Sequence, residues 1–377
     1  MKDIELPCGD VIYFEGNLFS FKPDALAFCY CEVTAPDHLD HPFLQVHIKN
    51  KTVAGLGTFE GVFYSKEIKH ALTLGYKIKI LHGFYFTKSI KLFSNYVDTL
   101  YEIRQTFDKS DPMNYISKLL LNSLYGRMAM DDRHNSIKVY DEKEFKQNMK
   151  KNDLYSKIAD IEFFKEVKKV VVETKLERFT NAFNSNYENH ITSIPIAAAI
   201  TAEARIYMSQ FKNNPNFKLY YTDTDSIFID KSPEEMNKLF PGIINDKELG
   251  KLKHEFTVKN AVFLGPKCYW LQLDNGQEII KIKGVKNEFI NKARDENNLD
   301  FDIFKELLKK DASLNIAQEK WFRNYSDATI NIVKTSYEIK QNDNKRELIY
   351  ENGTCVATKP IIFDKETFNK EINKNFF

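Results

Sequence analysis

Phe217-Lys218-Leu219-Tyr220-Tyr221-Thr222-Asp223-Thr224-Asp225-Ser226-Ile227-Phe228-Ile229-Asp230 is the stretch on which the reading of this chain turns. Apolar and aromatic residues stand on both sides of Asp223-Thr224-Asp225, so the pattern predicts strand, tight turn, strand. Two carboxylates then sit at i and i+2 on the tip of a β-hairpin. On composition alone such a tip is either an ordinary Asp-rich turn or a place for a divalent metal. Mg²⁺ takes a few hard oxygen ligands and keeps the rest of its shell for water and phosphate.

Working outward, 377 residues suggest two or three domains at roughly 150 residues each. A hydrophobic content of 43% and an aromatic content of 14% exclude a disordered chain. Lys and Arg number 54 against 53 Asp and Glu, so any nucleic-acid contact has to come from a local basic groove rather than from global charge. No run of eighteen apolar residues occurs, so no transmembrane helix and no membrane partner are expected. The opening Met1-Lys2-Asp3-Ile4-Glu5-Leu6-Pro7 has the form of neither a signal peptide nor a transit peptide. The five cysteines do not suggest a disulfide framework in a chain this long. Cys29 and Cys31, with His38, His41 and His47 nearby, fit no common zinc module, and Phe28–Val33 alternates like a strand.

Before the hairpin, Leu6–Gly9 reads as a turn and Val11–Phe14 as a short strand. Asp24–Val33, Phe43–Ile48, Thr58–Phe63 and Lys77–Phe86 read as further strands. Ser65–Leu74 reads as a helix ended by Gly75, and Lys88–Gln105 as another with Arg104 near its end. Ser110-Asp111-Pro112 is a helix start, a polar cap followed by proline in the first turn. In the predicted helix Asp111–Met130, Met113, Ile116, Leu120 and Leu124 form the face expected to pack down. Lys118, Asn122 and Tyr125 project from the opposite face. Residues 131–180 are charged, weak in pattern, and read as an insertion with a possible strand at Val170–Thr174. Ile196–Phe211, rich in alanine and without a breaker, reads as a buried helix packed behind the hairpin. Ser232-Pro233-Glu234-Glu235 caps a further helix. Over 247–286, Lys251, Lys253, Lys267 and Lys283 interleave with Phe263, Tyr269 and Trp270, as in a surface that tracks a nucleic-acid backbone. The alternative is a charged sheet face. The last ninety residues carry no chemical motif.

Three of these stretches together resemble family B DNA polymerases. Tyr221-Thr222-Asp223-Thr224-Asp225-Ser226 is similar to that family's Tyr-x-Asp-Thr-Asp-Ser hairpin, and Lys118-Leu119-Leu120-Leu121-Asn122-Ser123-Leu124-Tyr125-Gly126 to its Lys-x-x-x-Asn-Ser-x-Tyr-Gly helix. Lys267-Cys268-Tyr269 resembles its Lys-x-Tyr motif. The combination looks like the protein-primed branch found in small phages and linear mitochondrial plasmids. Reverse transcriptases share an acidic hairpin, but not the lysine-asparagine helix.

The resemblance implies an α+β right-hand polymerase fold with palm, fingers and thumb. Residues 1–87 would be the start of the palm plus a subdomain contacting a terminal, or priming, protein. Fingers would lie at 88–130, an insertion at 131–180, the palm at 181–290 and the thumb from 291 to 377. It implies a DNA-directed DNA polymerase working on a DNA template-primer and dNTPs with two Mg²⁺ ions per site. Asp223 and Asp225 would be catalytic and hold metal. Arg104 and Lys118 would hold the triphosphate, Asn122 and Tyr125 would shape the nucleotide pocket, and Gly126 would admit the pairing base. Lys267 and Tyr269 would steady the primer terminus.

One departure matters. The family's Asp-x-x-Ser-Leu-Tyr-Pro motif and its exonuclease domain are absent from this sequence, and Asp3, Asp10 and Asp24 stand in no matching context. The chain is therefore expected to be the C-terminal polymerase portion of a larger enzyme, mitochondrial in location. The alternative is an inactive, truncated remnant that only binds DNA.

Overall fold

The computed structural model describes residues 2–48, 51–130, 133–149, 155–163, 166–176, 178–180, 188–190, 192–296, 298–324 and 329–364. Strand β1 (Leu6–Glu15) is followed by β2 (Ala27–Ala35), the short hairpin β3 (Gln45–Ile48) and β4 (Lys51–Ala54), and β5 (Leu56–Tyr64). Helix α1 (Ser65–Thr73) and strand β6 (Lys77–Ile90) come next. Two helices follow, α2 (Ser94–Thr106) and α3 (Pro112–Met128). Beyond them lie β7 (Arg133–Tyr140), α4 (Glu142–Met149), β8 (Tyr155–Phe163), β9 (Glu166–Leu176), β10 (Arg178–Thr180) and β11 (Glu188–His190). Helix α5 (Ile194–Ser209) leads to β12 (Leu219–Asp223) and β13 (Ser226–Ile229), then α6 (Pro233–Leu239). The chain continues through β14 (Val258–Gly265), β15 (Cys268–Leu273) and β16 (Glu278–Ile282) to α7 (Asn287–Asp295) and α8 (Phe301–Glu306). It ends in β17 (Ser313–Asn324), β18 (Thr329–Lys340), β19 (Arg346–Glu351), β20 (Thr354–Pro360) and β21 (Ile362–Phe363).

Five strands form a sheet in the order β1-β6-β2-β5-β21. Its strand β2 alternates inside and out, which puts Cys29, Cys31 and Val33 on the buried face. These thiols are free and belong to a core with Phe59, Phe63, Ile68 and Tyr76. Burial pushes the Cys29 thiol up to about 12. Strands β7, β8 and β9 form a three-stranded sheet of order β7-β9-β8, so Val170–Thr174 is the middle of β9. A second three-stranded sheet, β14-β15-β16, packs Trp270 against Phe304, Leu299 and Ile339.

Contacts divide the molecule into two compact units. One comprises Met1–Ile12, Phe86–Glu203 and Glu319–Lys334, and the other Tyr13–Tyr85, Ala204–Gln318 and Thr335–Phe377. In the second unit α1 holds the end of α5. Arg205 Nε donates to Glu67 Oε1 at 2.7 Å, and Glu67 is almost fully buried. His70 Nε2 lies 2.6 Å from Ser209 Oγ, and burial holds its imidazole below the usual range. The loop after α5 is fixed by paired bonds, from the His41 N–H to Asn213 Oδ1 and from Asn213 Nδ2 to the His41 carbonyl. This is the approach to β12.

Several sequence expectations are corrected. Leu6–Gly9 is not a turn but the start of β1. The helix expected from Lys88 begins at Ser94, because β6, paired between β1 and β2 in the sheet, runs on to Ile90. The expected packing face of α3 is exposed, with Met113, Ile116 and Leu120 at 41%, 44% and 40%. Ser117 is the buried residue, its hydroxyl bonded to the Met113 carbonyl, and Asn114, Leu121 and Leu124 are half-buried on its side. Residue 181, where the expected palm begins, lies outside the described residues, as does the chain after 364.

Candidate functional site

Strands β12 and β13 pair antiparallel, with Asp223 opposite Ser226 and a two-residue loop of Thr224 and Asp225. Thr224 has φ +54°, and the Asp225 N–H donates to the Asp223 carbonyl at 2.7 Å. Positive φ at the first loop residue is a position suited to glycine, and a β-branched residue there is strained. Such strain persists only where the surroundings over-determine the conformation.

The surroundings are a second hairpin. Strands β14 and β15 meet with Gly265 opposite Cys268, leaving Pro266 and Lys267 as the loop. Proline first and positive φ second is the pattern of a type II turn, and Lys267, at φ +57°, occupies the place usually held by glycine or asparagine. Three polar groups of Lys267 are engaged. Its N–H donates to the Tyr221 hydroxyl at 2.7 Å. Its carbonyl accepts from the Lys283 N–H at 2.9 Å. Its Nζ donates to Asp223 Oδ2 at 2.5 Å. Tyr221 and Asp223 are two apart on a strand, hence on one face, and both meet Lys267.

Below the tips the hairpins are joined by rings. Tyr221 stacks on Phe263 at 4.9 Å and 10°, and Phe228 meets Phe263 edge-on at 5.4 Å. Tyr269 lies edge-on to Tyr221 at 5.5 Å. Each such pair adds about 0.5–1.5 kcal/mol beyond area burial. Burial raises the Tyr221 and Tyr269 phenols, and the Asp223 carboxylate pushes Tyr269 further the same way. The Asp223 hydrogen bond raises the Lys267 ammonium.

The two aspartates are not equivalent. Asp223 is half-buried and already holds a cation. Asp225 is exposed, and its carboxylate has no hydrogen-bond or ion-pair partner among the described residues. Two hard carboxylates, one of them carrying an ammonium as a stand-in, fit a Mg²⁺ that draws its remaining ligands from water and phosphate. No group of three or more metal-ligating side chains occurs among the described residues.

The other expected residues fall as follows. Lys283 and Tyr269 join Lys267 at the hairpin pair through the contacts given above. Lys251 and Lys253 lie in the loop after α6, where Lys253 Nζ is 3.3 Å from Glu255, with no described contact to the hairpin tips. Arg104, Lys118, Asn122, Tyr125 and Gly126 lie in the other unit. There Asp111 caps α3 by accepting from the Met113 N–H at 2.7 Å. Asn114 Nδ2 bridges the helices by donating to the carbonyls of Arg104 and Phe107 at 2.7 and 2.9 Å. Lys118, Asn122 and Tyr125 are exposed and without polar partners among the described residues, and the space beside Gly126 is open. Sequence reasoning gave Tyr221 no role, although its position two residues before Asp223 marks it as sharing that face.

Comparison with known proteins adds the following. The model of the family described as DNA polymerase type B, organellar and viral, matches residues 1–217. A probable DNA polymerase of Ascobolus immersus is 32% identical over 380 residues, covering 97% of this chain and 29% of that protein. One from Neurospora intermedia is 31% identical over 346 residues, covering 89% and 33%. This chain thus spans about a third of the length of these curated relatives. Among solved structures, Phi29 DNA polymerase complexed with single-stranded DNA is similar in fold, with a TM-score of 0.59 at 20% identity, covering 90% of this chain and 55% of that one.

Proposed function

Since this chain belongs to the organellar and viral type B DNA polymerases, we propose that it is the nucleotide-adding portion of such an enzyme, extending a primer on a DNA template with dNTPs. The observation that carries this reading is the braced acidic tip: Asp225 open, Asp223 two residues before it, and Lys267 held against Asp223 by the neighbouring hairpin. Asp225 and Asp223 would hold Mg²⁺, two ions per site. When bound, the metal supplies charge neutralisation on the phosphate oxygens and activation of the primer hydroxyl.

The chain's own groups do the rest. Lys267 and Tyr269 steady the primer terminus, and Lys251, Lys253 and Lys283 follow the backbone phosphates. Lys118 and Arg104 neutralise triphosphate charge. Asn122 and Tyr125 shape the nucleotide pocket beside Gly126, whose open side admits a base. On this reading the hairpin belongs to a palm over 181–290, α2 and α3 to fingers over 88–130, and the region from 291 to 377 to a thumb. Residues 1–87 would include a surface for a terminal protein that primes replication of a linear mitochondrial plasmid. The family's organellar and viral description supports such a setting.

A second reading rests on the lack of a third carboxylate among the described residues. On it the chain binds DNA without adding nucleotides. The test is primer extension by the 377-residue chain with Mg²⁺ and four dNTPs, beside Asp225→Ala, with DNA binding followed against salt. Extension by the native chain alone supports the polymerase reading. Salt-sensitive binding with no extension by either supports the second.

A further inference from the structure

Lys267 does more at the hairpin tip than wait for DNA. Its ammonium is seated on Asp223 Oδ2 at 2.5 Å. Lysine is a flexible point charge that ordinarily wanders on its four-carbon stem. Here the stem's root is pinned. The Lys267 N–H is bonded to the Tyr221 hydroxyl and its carbonyl to the Lys283 N–H. Its left-handed backbone aims the side chain back over the acidic hairpin. The Tyr221–Phe263 stack fixes the distance between the two tips. An ammonium so tethered remains beside Asp223 at high effective concentration even when it lets go.

We infer that Lys267 is a built-in competitor for the metal site, a cation that a divalent ion must displace from Asp223 before both aspartates can serve one metal cluster. The inference rests on the proposed metal-binding role of the hairpin and names a determinant of it. Asp225 is the entry ligand, because nothing described occupies it. Asp223 joins only as Lys267 leaves, and the stronger attraction of a double charge for the carboxylate drives the exchange. The released ammonium is then free for the phosphates of a primer. Occupation of the metal site and readiness for the primer are therefore linked through one side chain. By reciprocity, whatever draws Lys267 away from Asp223 tightens the metal.

The test uses the full 377-residue chain without DNA and reads terbium(III) luminescence, a hard-ion probe sensitised by the nearby Tyr221 and Tyr269. Lys267→Gln removes the charge at an exposed position, so folding is preserved. It is expected to tighten Asp225-dependent terbium binding by about fivefold or more. Lys267→Arg keeps the cation and is expected to stay near the native affinity. Asp223→Asn added to Lys267→Gln is expected to erase the gain, and Mg²⁺ is expected to displace the probe in each case. Equal affinity in the native chain and Lys267→Gln overturns the competitor. Emission that Asp225→Asn leaves unchanged overturns the metal reading of the hairpin itself, so the two failures are distinct.

Discussion

The paired hairpins and the paired helices carry chemistry in opposite ways. At β12–β13 and β14–β15 the polar groups are tied to one another across 44 residues of sequence, over a cluster of rings. On α3 the residues of interest are exposed, and the helix is tied to α2 by Asn114 and by the Tyr96 hydroxyl, which donates to the Leu120 carbonyl at 3.4 Å. The hairpins therefore have their geometry set before any ligand arrives. The helix pair presents a face, and little in its own packing restrains that face. Elements with few buried apolar contacts sit at the low end of local stability.

The largest expected effect probes the ring cluster. Phe263→Ala removes the stack on Tyr221, the edge contact to Phe228 and the tilted contact to Tyr269, and should cost about 3 kcal/mol by denaturant unfolding. A loss below about 1 kcal/mol would show that the rings do not brace the hairpins. Next is Asn114→Ala, which frees the carbonyls of Arg104 and Phe107. It should cost about 1.5 kcal/mol, with amide exchange accelerated in α2 and α3 and unchanged in β12–β15. If protection fell in β12–β15 as well, the hairpins would not be braced by their own contacts. Thr224→Gly relieves the positive φ at the hairpin tip. Strain relief exceeds the entropy of glycine, so thermal unfolding should show a gain of about 1 kcal/mol. A destabilised variant would mean that Thr224 is held by a contact worth more than its strain. The smallest effect is at Lys118→Met, where stability should move by less than about 0.5 kcal/mol. A larger change would reveal a structural duty for a side chain that has no polar partner among the described residues.

Legibility followed the range of the interactions. The β12–β13 hairpin could be read from alternation and turn residues, the α6 cap from Ser232 and Glu235, and the start of α3 from Asp111 and Pro112. All are settled within a few residues of backbone. The buried face of α3 is not marked by apolar spacing, because the side chains that tie it to α2 are polar, Asn114 bonded to the carbonyls of Arg104 and Phe107, and Ser117 turns its hydroxyl onto its own helix. Likewise β6 outran its expected end, because strand pairing with β2 and β1 is a property of the sheet and not of the segment.

By itself the sequence determined the motifs, their order along the chain, and the placement of two aspartates at one turn. These follow from local propensity and from side-chain identity. Only the tertiary structure decided that the aspartates differ, one carrying an ammonium and the other open. That difference depends on Lys267 reaching Asp223 from another hairpin, held by a tyrosine hydroxyl and a ring stack. Contacts of that kind are fixed by packing between strands far apart in sequence, where no local pattern records them.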